Sequence, residues 1–223
     1  MNSRAELLAF IAADSALAAL LDEARRRADE DPGHDVAHFL RVALWTVRLG
    51  EGALDPRAAV AAALLHDLVN VPKDSPLRAR ASELCADEAA RLLPAHGFSP
   101  DATAAIVEAI RDHSFSRGAV PKTPLGCALQ DADRLEALGV IGVFRTISTG
   151  TRMGGVYFHP DDPWARTRPL DDRRYSVDHF FVKLLGLAAT MNTAAGRAEA
   201  ERRTARMRAI LDGLGEEIGE PAP

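Results

Sequence analysis

The sequence predicts an all-α protein that folds as a single domain. Apolar residues recur at three- and four-residue spacing along most of the chain, which is the period of an amphipathic helix. Strand signals are weak, because the best alternating stretch, residues 155–159, is short and flanked by Gly and Pro. With 223 residues, of which 47% are apolar, the chain can bury one large core. A single helical domain over residues 1–223 is therefore expected.

The predicted helices are separated by clear breaks. Asp55-Pro56 and Ser99-Pro100 have the pattern of helix starts, with a capping side chain ahead of a proline at the first helical position. Two connections, residues 69–78 and 149–175, are predicted to be irregular, as functional loops on a helical scaffold often are. The predicted helices cover residues 3–29, 35–50, 56–68, 79–94, 100–113 and 124–137, and one or two long helices cover residues 176–219.

The adjacent pair His66-Asp67 ends the apolar run of residues 60–65 and predicts a metal site. A buried helix excludes an uncompensated imidazole and carboxylate, and a divalent cation would compensate both. His38 on an upstream helical pattern and Asp133 on a downstream one complete a set of four ligands. Imidazole and carboxylate without thiolate suit Mn²⁺ or Fe²⁺, and are also compatible with Mg²⁺ or Ni²⁺.

Four motifs extend this pattern along the chain. They are Gly33-His-Asp-x-x-His38-x-x-Arg41-Val, Leu64-Leu-His-Asp67, Ile110-x-x-His113-Ser-Phe-Ser116 and Leu129-Gln-Asp-Ala-Asp133-Arg-Leu-x-Ala-Leu-Gly139. With these motifs the chain resembles the HD-domain superfamily of metal-dependent phosphohydrolases, and within it the bacterial YedJ/YpgQ-type subgroup. The similarity spans roughly residues 20–215. It implies an all-helical bundle with a metal-binding core over about residues 30–140 and C-terminal helices over about residues 176–219.

The resemblance also implies the type of reaction. Members of the superfamily hydrolyse phosphomonoesters, cyclic nucleotides or nucleoside triphosphates, and the resembling subgroup is associated with nucleoside triphosphate pyrophosphohydrolysis. A nucleoside triphosphate is therefore the expected substrate, and monophosphate and pyrophosphate are the expected products. Mn²⁺ is the first candidate for the metal. A phosphomonoesterase (5′-nucleotidase) or a phosphodiesterase would use the same site.

Ordinary metal chemistry assigns roles within this site. Besides binding the metal, Asp67 is placed to orient a water molecule and receive its proton. Arg41 lies one helical turn from His38, and Lys73 lies in the irregular segment that follows the pair. Both are candidates for binding phosphate oxygens, and the resemblance adds His113 to them.

Three assignments leave alternatives open. Asp131 and Asp133 are two residues apart and point to different faces of a helix, and the resemblance favours Asp133 as the ligand. Glu88 is a candidate catalytic residue. Together with His113 it could instead complete a second metal site, as in a dinuclear enzyme or a di-iron oxygenase. A non-catalytic module that binds a nucleotide through a metal-ordered pocket is a further alternative.

Composition and charge narrow the partners. The formal net charge of −5 argues against nucleic-acid binding, and the absence of a signal segment or a long apolar run argues against a membrane. The cytoplasm is therefore the expected compartment. Cys85 and Cys127 are expected to be free thiols, because no C-x-x-C spacing links them. The amphipathic C-terminal region is compatible with a monomer or a homodimer.

Overall fold

The structure is a computed structural model that describes residues 1–28, 35–71, 75–114 and 118–223, with all of their side chains except that of Arg78. Within these ranges the chain forms ten α-helices and no strand, so the prediction of an all-α fold is confirmed. The helices are α1 (Arg4–Ala13), α2 (Ser15–Arg27), α3 (Val36–Leu49), α4 (Pro56–Leu65), α5 (Ala81–Ala95), α6 (Pro100–Asp112), α7 (Pro124–Leu135), α8 (Gly139–Arg152), α9 (Ser176–Val182) and α10 (Ala194–Ile218). Short 3-10 helices lie at Arg78–Arg80 and Leu184–Thr190.

Two compact units make up the chain, Met1–Asp133 and Arg134–Pro223. The first contains α1 to α6 and most of α7, and the second contains α8 to α10. The single domain predicted over residues 1–223 stays a prediction. No helix in the described part of the chain has the length and apolarity that crossing a membrane requires.

Helix α4 lies at the centre of the first unit because almost its whole surface is apolar. Every residue from Ala59 to Leu65 is fully buried, and the helix packs against α2, α3, α5 and α6. A helix that is apolar all round is stable only when other elements surround it. The residue that follows its last turn, His66, is therefore also fully buried.

Both helix starts predicted from proline are confirmed. The Asp55 carboxylate accepts the N–H of Arg57 at 3.0 Å, and Pro56 is the first residue of α4. In the same way the Ser99 hydroxyl accepts the N–H of Ala102 ahead of α6. Each cap satisfies a backbone donor that has no partner inside the helix.

The single helix predicted over residues 3–29 is wrong, because the chain breaks at Asp14. This residue has an extended backbone, and its carboxylate accepts the N–H groups of Ala16 and Leu17. It therefore ends α1 and caps α2. The sequence indicates this break by an aspartate inside an apolar periodic pattern, because the side chain of aspartate competes for backbone donors.

Helix α8 was not predicted, and its last turn falls in the segment predicted to be irregular. Its glycines and β-branched residues are poor helix formers, so tertiary packing stabilises it. A Cβ at Gly142 would collide with the carbonyl group of Ala137, and one at Gly150 would collide with the Ser176 hydroxyl. These glycines permit close packing that any side chain would prevent.

The C-terminal region contains less regular helix than predicted. Residues 176–219 form the short α9, the 3-10 helix Leu184–Thr190 and the long α10, rather than one or two long helices. The Thr193 hydroxyl accepts the N–H of Gly196 at 2.9 Å and so starts α10 as a new helix.

Candidate metal centre

Three helices of the first unit bring four predicted ligands together. His38 lies in the first turn of α3, His66 and Asp67 follow α4, and Asp133 lies in the last turn of α7. The Nε2 atoms of His38 and His66 are 3.3 Å apart, and Asp133 Oδ1 lies 3.6 Å and 3.8 Å from them. Ligand atoms of His38, His66 and Asp67 all lie within 4.8 Å of one another. The structure thus gathers the side chains that the sequence pattern singled out.

Local hydrogen bonds fix the backbone at His38 and the ring of His66. Asp35 caps α3 by accepting the N–H of His38 at 2.7 Å, which fixes the first turn of the helix. The Nδ1 of His66 donates to the carbonyl of Ala63 at 2.7 Å. Its Nε2 therefore points into the cluster, where it would offer a lone pair to a cation on losing its proton. The Phe39 ring packs against His66 in an edge-on geometry, with ring centroids 5.7 Å apart.

The carboxylates make this cluster attractive to positive charge. Burial by itself lowers the pKa of His66, but the negative charges of Asp67 and Asp133 outweigh burial and raise the pKa to about 9. Burial by itself raises the pKa of Asp133, but its hydrogen bond with His66 and the charges of both imidazoles lower the pKa below its usual value. A buried position that favours positive charge among carboxylates meets the electrostatic requirement of a cation site.

The donor atoms fit a divalent first-row metal. Two imidazole nitrogens and two carboxylates, without a thiolate among them, form a mixed set of borderline and hard ligands. The hydrogen bond from His66 to Ala63 is the kind of support that orients metal-binding histidines. The site therefore needs no rearrangement of the His66 tautomer to bind a metal.

Comparison with known proteins places this cluster in a family. The model of the HD domain matches residues 36–138, a range that contains all four side chains. The uncharacterized protein YpgQ of Bacillus subtilis is 35% identical over 181 residues, which cover 78% of this chain and 80% of YpgQ. The chain belongs to the HD-domain family. Its HD region starts at the first residue of α3 and ends just after α7.

Solved structures of HD proteins share this fold. The crystal structure of B. subtilis YpgQ in complex with ADP is 27% identical and has a TM-score of 0.69, covering 90% of this chain and 97% of that one. An HD-superfamily hydrolase from Bacillus thuringiensis is 28% identical with a TM-score of 0.67, covering 90% and 95%. Membership in the HD family implies a divalent metal, and His38, His66 and Asp67 form a candidate site for it.

His113, which is predicted to bind substrate, lies beside His66 and Asp67. It is buried after the last residue of α6, and its Nδ1 donates to the carbonyl of Ile110 at 2.6 Å. Its Nε2 is 3.5 Å from Asp67 Oδ1, whereas the other oxygen of Asp67 faces His66 at 3.8 Å. The two oxygens of Asp67 therefore face different imidazoles.

The other predicted residues have more varied positions. Arg41 is half-buried one turn after His38 on α3, and Lys73 lies outside the described residues. Glu88 on α5 makes ion pairs with Arg27 at 2.8 Å and with Arg91 at 2.6 Å. These arginines, Arg91 first, lower the pKa of Glu88 to about 2, which makes its carboxylate a weak base. Its catalytic role stays a prediction.

Sequence reasoning gave no role to two buried polar residues that bind the end of α6. Ser82 on α5 donates to the carbonyl of Arg111 at 3.0 Å, and Gln130 on α7 donates to the carbonyl of Asp112 at 3.0 Å. The position of Gln130, three residues before the predicted ligand Asp133, could have indicated that it lies near the site, because residues with this spacing share a helix face.

Proposed function

We propose that this chain is a metal-dependent phosphohydrolase of nucleotides that cleaves nucleoside triphosphates to monophosphate and pyrophosphate. The observation that carries the proposal is the convergence of His38, His66, Asp67 and Asp133 from three helices of an HD domain. The complex of the related YpgQ with ADP supports a nucleotide as the ligand.

A bound metal and the side chain of Asp67 would have different roles in the reaction. When bound, a divalent cation supplies Lewis acidity, which makes water more acidic and polarises a phosphoryl oxygen. Asp67 would orient the attacking water and accept its proton, because the oxygen that approaches His113 is not the one that approaches His66. A carboxylate that already lies at the metal needs little movement to act on a water there.

Cationic and imidazole side chains around the cluster would bind the phosphates. Arg41 lies on the same side of α3 as His38, and a guanidinium can form two parallel hydrogen bonds to phosphate oxygens. His113 approaches Asp67 from the end of α6. Together with Lys73 they would neutralise the charge that shifts toward the leaving pyrophosphate, which is the main protein contribution to phosphoryl transfer.

Product analysis tests this proposal directly. Purified protein is incubated with cyclic nucleotides and with nucleoside mono-, di- and triphosphates in Mn²⁺, Mg²⁺, Fe²⁺ or Ni²⁺. After the metal has been removed with a chelating resin, the products are identified by ³¹P NMR. The proposal requires equal amounts of monophosphate and pyrophosphate from triphosphates. Orthophosphate released from monophosphates would instead establish a phosphomonoesterase, and opening of cyclic nucleotides would establish a phosphodiesterase.

Metal counting and oxygen uptake separate the remaining alternatives. A di-iron oxygenase would bind about two iron ions per chain and consume O₂, whereas the proposed hydrolase consumes none. A non-catalytic module would bind a nucleotide and release no product in any of the four metals. Either result would overturn the proposed function.

A further inference from the structure

Gln130 connects the two ends of the segment that contains His113. Its side chain is buried, and its Nε2 donates to the carbonyl of Asp112 at 3.0 Å and to that of Ala119 at 2.9 Å. Asp112 ends α6 immediately before His113, and Ala119 lies six residues after His113. One amide group therefore binds the chain on both sides of this histidine.

Only the NH₂ of Gln130 can make these two contacts. Backbone carbonyls accept hydrogen bonds and cannot donate them, so an amide oxygen in this position would be repelled by both. A glutamine NH₂ has two protons, one for each carbonyl. The side chain thus uses its full donor capacity on these two backbone groups, and a buried carbonyl that lost this donor would carry a desolvation cost.

The end of α6 is fixed at three successive carbonyls. That of Ile110 accepts from His113 Nδ1, that of Arg111 from Ser82, and that of Asp112 from Gln130. These are terminal carbonyls of the helix, which depend on partners from outside its own ladder. Gln130 also binds the carbonyl of Ala119, on the far side of His113 along the chain.

The helix that carries Gln130 also carries a predicted ligand. Gln130 and Asp133 are separated by three residues on α7, so they project from the same side of the helix. The approach of α7 to α6 is close, because a Cβ at Gly126 would lie 3.7 Å from Cα of Ala109. A displacement of the His113 segment from α7 would change the distance between His113 and the cluster.

We propose that Gln130 is a positioning residue that holds His113 beside Asp67. The proposal rests on the proposed function, in which His113 binds substrate phosphate. Gln130 itself touches neither metal nor substrate in this scheme and acts by fixing the backbone before and after His113. Loss of its two hydrogen bonds leaves the metal ligands in place and lets the imidazole move away from Asp67.

The expected consequence is a defect in turnover. Partners that orient the groups of a metal site typically contribute about 10- to 100-fold to activity. Gln130→Met keeps the length and helix propensity of the side chain and removes both donors. We expect kcat for the triphosphate to fall about 10- to 100-fold in this variant, while Mn²⁺ still binds with wild-type stoichiometry.

Ser82→Ala is the matched control. It removes the buried hydrogen bond to the neighbouring carbonyl, that of Arg111, at the same helix end. Its kcat, corrected for the folded fraction, should remain within about threefold of wild type if coupling to His113 is specific to Gln130. Equal losses in both variants would show that Gln130 serves only to stabilise the fold. Gln130→Asn, which retains one amide group on a shorter side chain, replaces the methionine variant if the latter does not fold.

A double-mutant cycle tests whether Gln130 acts through His113. In a His113→Ala background, Gln130→Met should lower kcat by less than about threefold, because the residue to be positioned is already absent. The same 10- to 100-fold loss in both backgrounds would overturn the proposal.

An NMR measurement separates this proposal from the proposed function. The ring-nitrogen resonances of His113, assigned from their loss in His113→Ala, should shift or broaden in Gln130→Met and stay unchanged in Ser82→Ala. Wild-type protein that hydrolyses no nucleotide, but shows this NMR response, would overturn the proposed function and leave the positioning role supported. An active wild type whose His113 resonances are unaffected by Gln130→Met would overturn the positioning role alone.

Discussion

Carboxylates that are buried or half-buried have different partners in the two units of this protein. In the second unit, Asp178 accepts two hydrogen bonds from Arg168, at 2.5 Å and 2.8 Å, and a third from the N–H of Asp171. In the first unit, Asp67 and Asp133 face the imidazoles of the HD cluster at 3.5 to 3.8 Å. One carboxylate is thus held by a permanent cation, and the others by rings whose charge depends on what they bind.

This difference shows that the partner of a carboxylate decides whether the carboxylate contributes to stability or to metal binding. A guanidinium keeps its charge at any ordinary pH, so Asp178 and Arg168 form a fixed structural pair. An imidazole can offer a lone pair instead of a proton, so the HD cluster can accept a metal from solution. We therefore expect substitutions in the cluster to change binding and activity, and substitutions at Asp178 to change stability.

The largest effect is expected from loss of an HD ligand. His66→Ala and Asp67→Ala each remove a ligand from the candidate metal centre, whose charge the proposed mechanism uses. We expect at least a 1,000-fold loss of nucleotide hydrolysis, equivalent to about 4 kcal/mol in the activation barrier. The measurement is the rate of product release at saturating Mn²⁺, together with metal affinity by calorimetry.

His179→Ala is the control for these variants. His179 also contacts a carboxylate, that of Asp172 at 2.9 Å, but both side chains are partly exposed. We expect activity within about twofold of wild type, because an exposed ion pair contributes little. Wild-type rates in both His66→Ala and Asp67→Ala would contradict the assignment of the metal centre.

The next effect concerns the stability of the second unit. Asp178→Asn leaves Arg168 without its carboxylate, and breaking a buried pair from one side typically costs about 3 kcal/mol or more. Denaturant unfolding would measure the loss, followed by the fluorescence of the buried Trp164 in a Trp45→Phe background. Asp172→Asn removes the exposed pair instead and should cost less than about 1 kcal/mol. Equal losses of unfolding free energy in the two variants would show that the buried pair stabilises the protein no more than the exposed pair.

Metal removal should affect the first unit by a slightly smaller amount. A ligand that binds only the folded state stabilises it by about 2.7 kcal/mol when present at 100 times its Kd. Mn²⁺ at that excess should raise the unfolding midpoint reported by Trp45 in a Trp164→Phe background, and a chelator should reverse the rise. His66→Ala should show no metal-dependent shift, and a shift of wild-type size there would indicate metal binding elsewhere.

The cluster could be predicted from sequence more completely than the elements around it. His66-Asp67 was recognisable because polar residues at the end of an apolar helix need compensation. The search for their partners led to His38 and Asp133, and the choice of Asp133 over Asp131 came from the family resemblance. Helix α8 was missed because its glycines and β-branched residues indicate weak helix propensity, while the close approach of Gly150 to the distant Ser176 cannot be deduced from local spacing. Local patterns report burial, but they do not report which distant groups come into contact.

Gln130 and Glu88 show the same limit within the site. The spacing of Gln130 from Asp133 could place it on the same helix face, but its two donors bind carbonyls 11 and 18 residues away, and local spacing could not identify these partners. Glu88 occupied a position suited to catalysis along the sequence, but its partners are Arg27, from a different helix, and Arg91 on its own helix. Both cases depend on contacts that exist only after folding.

The smallest effect we expect is a pH dependence of stability from Glu88. Its pKa is about 2 in the folded protein, against an ordinary value of 4.5, so the folded state binds fewer protons than the unfolded state between these values. The stabilisation is fully present above pH 4.5 and is lost as the pH falls toward 2. We expect about 1 kcal/mol, since ion pairs that retain some solvent contact are weak.

Unfolding midpoints measured from pH 6 to pH 2 would show this dependence. Glu88→Gln should reduce the loss of stability in acid by that amount, while Asp162, whose pKa is also lowered to about 2, keeps its own contribution. Glu201→Gln, at an exposed position of α10, should leave the wild-type curve unchanged. A Glu88→Gln curve parallel to that of the wild type would show that its arginine pairs contribute no net stability. Hydrolysis by the same variant at neutral pH provides a separate test. If Glu88 is catalytic, Glu88→Gln should lower turnover, whereas if it only pairs with Arg27 and Arg91, turnover should stay at the wild-type level.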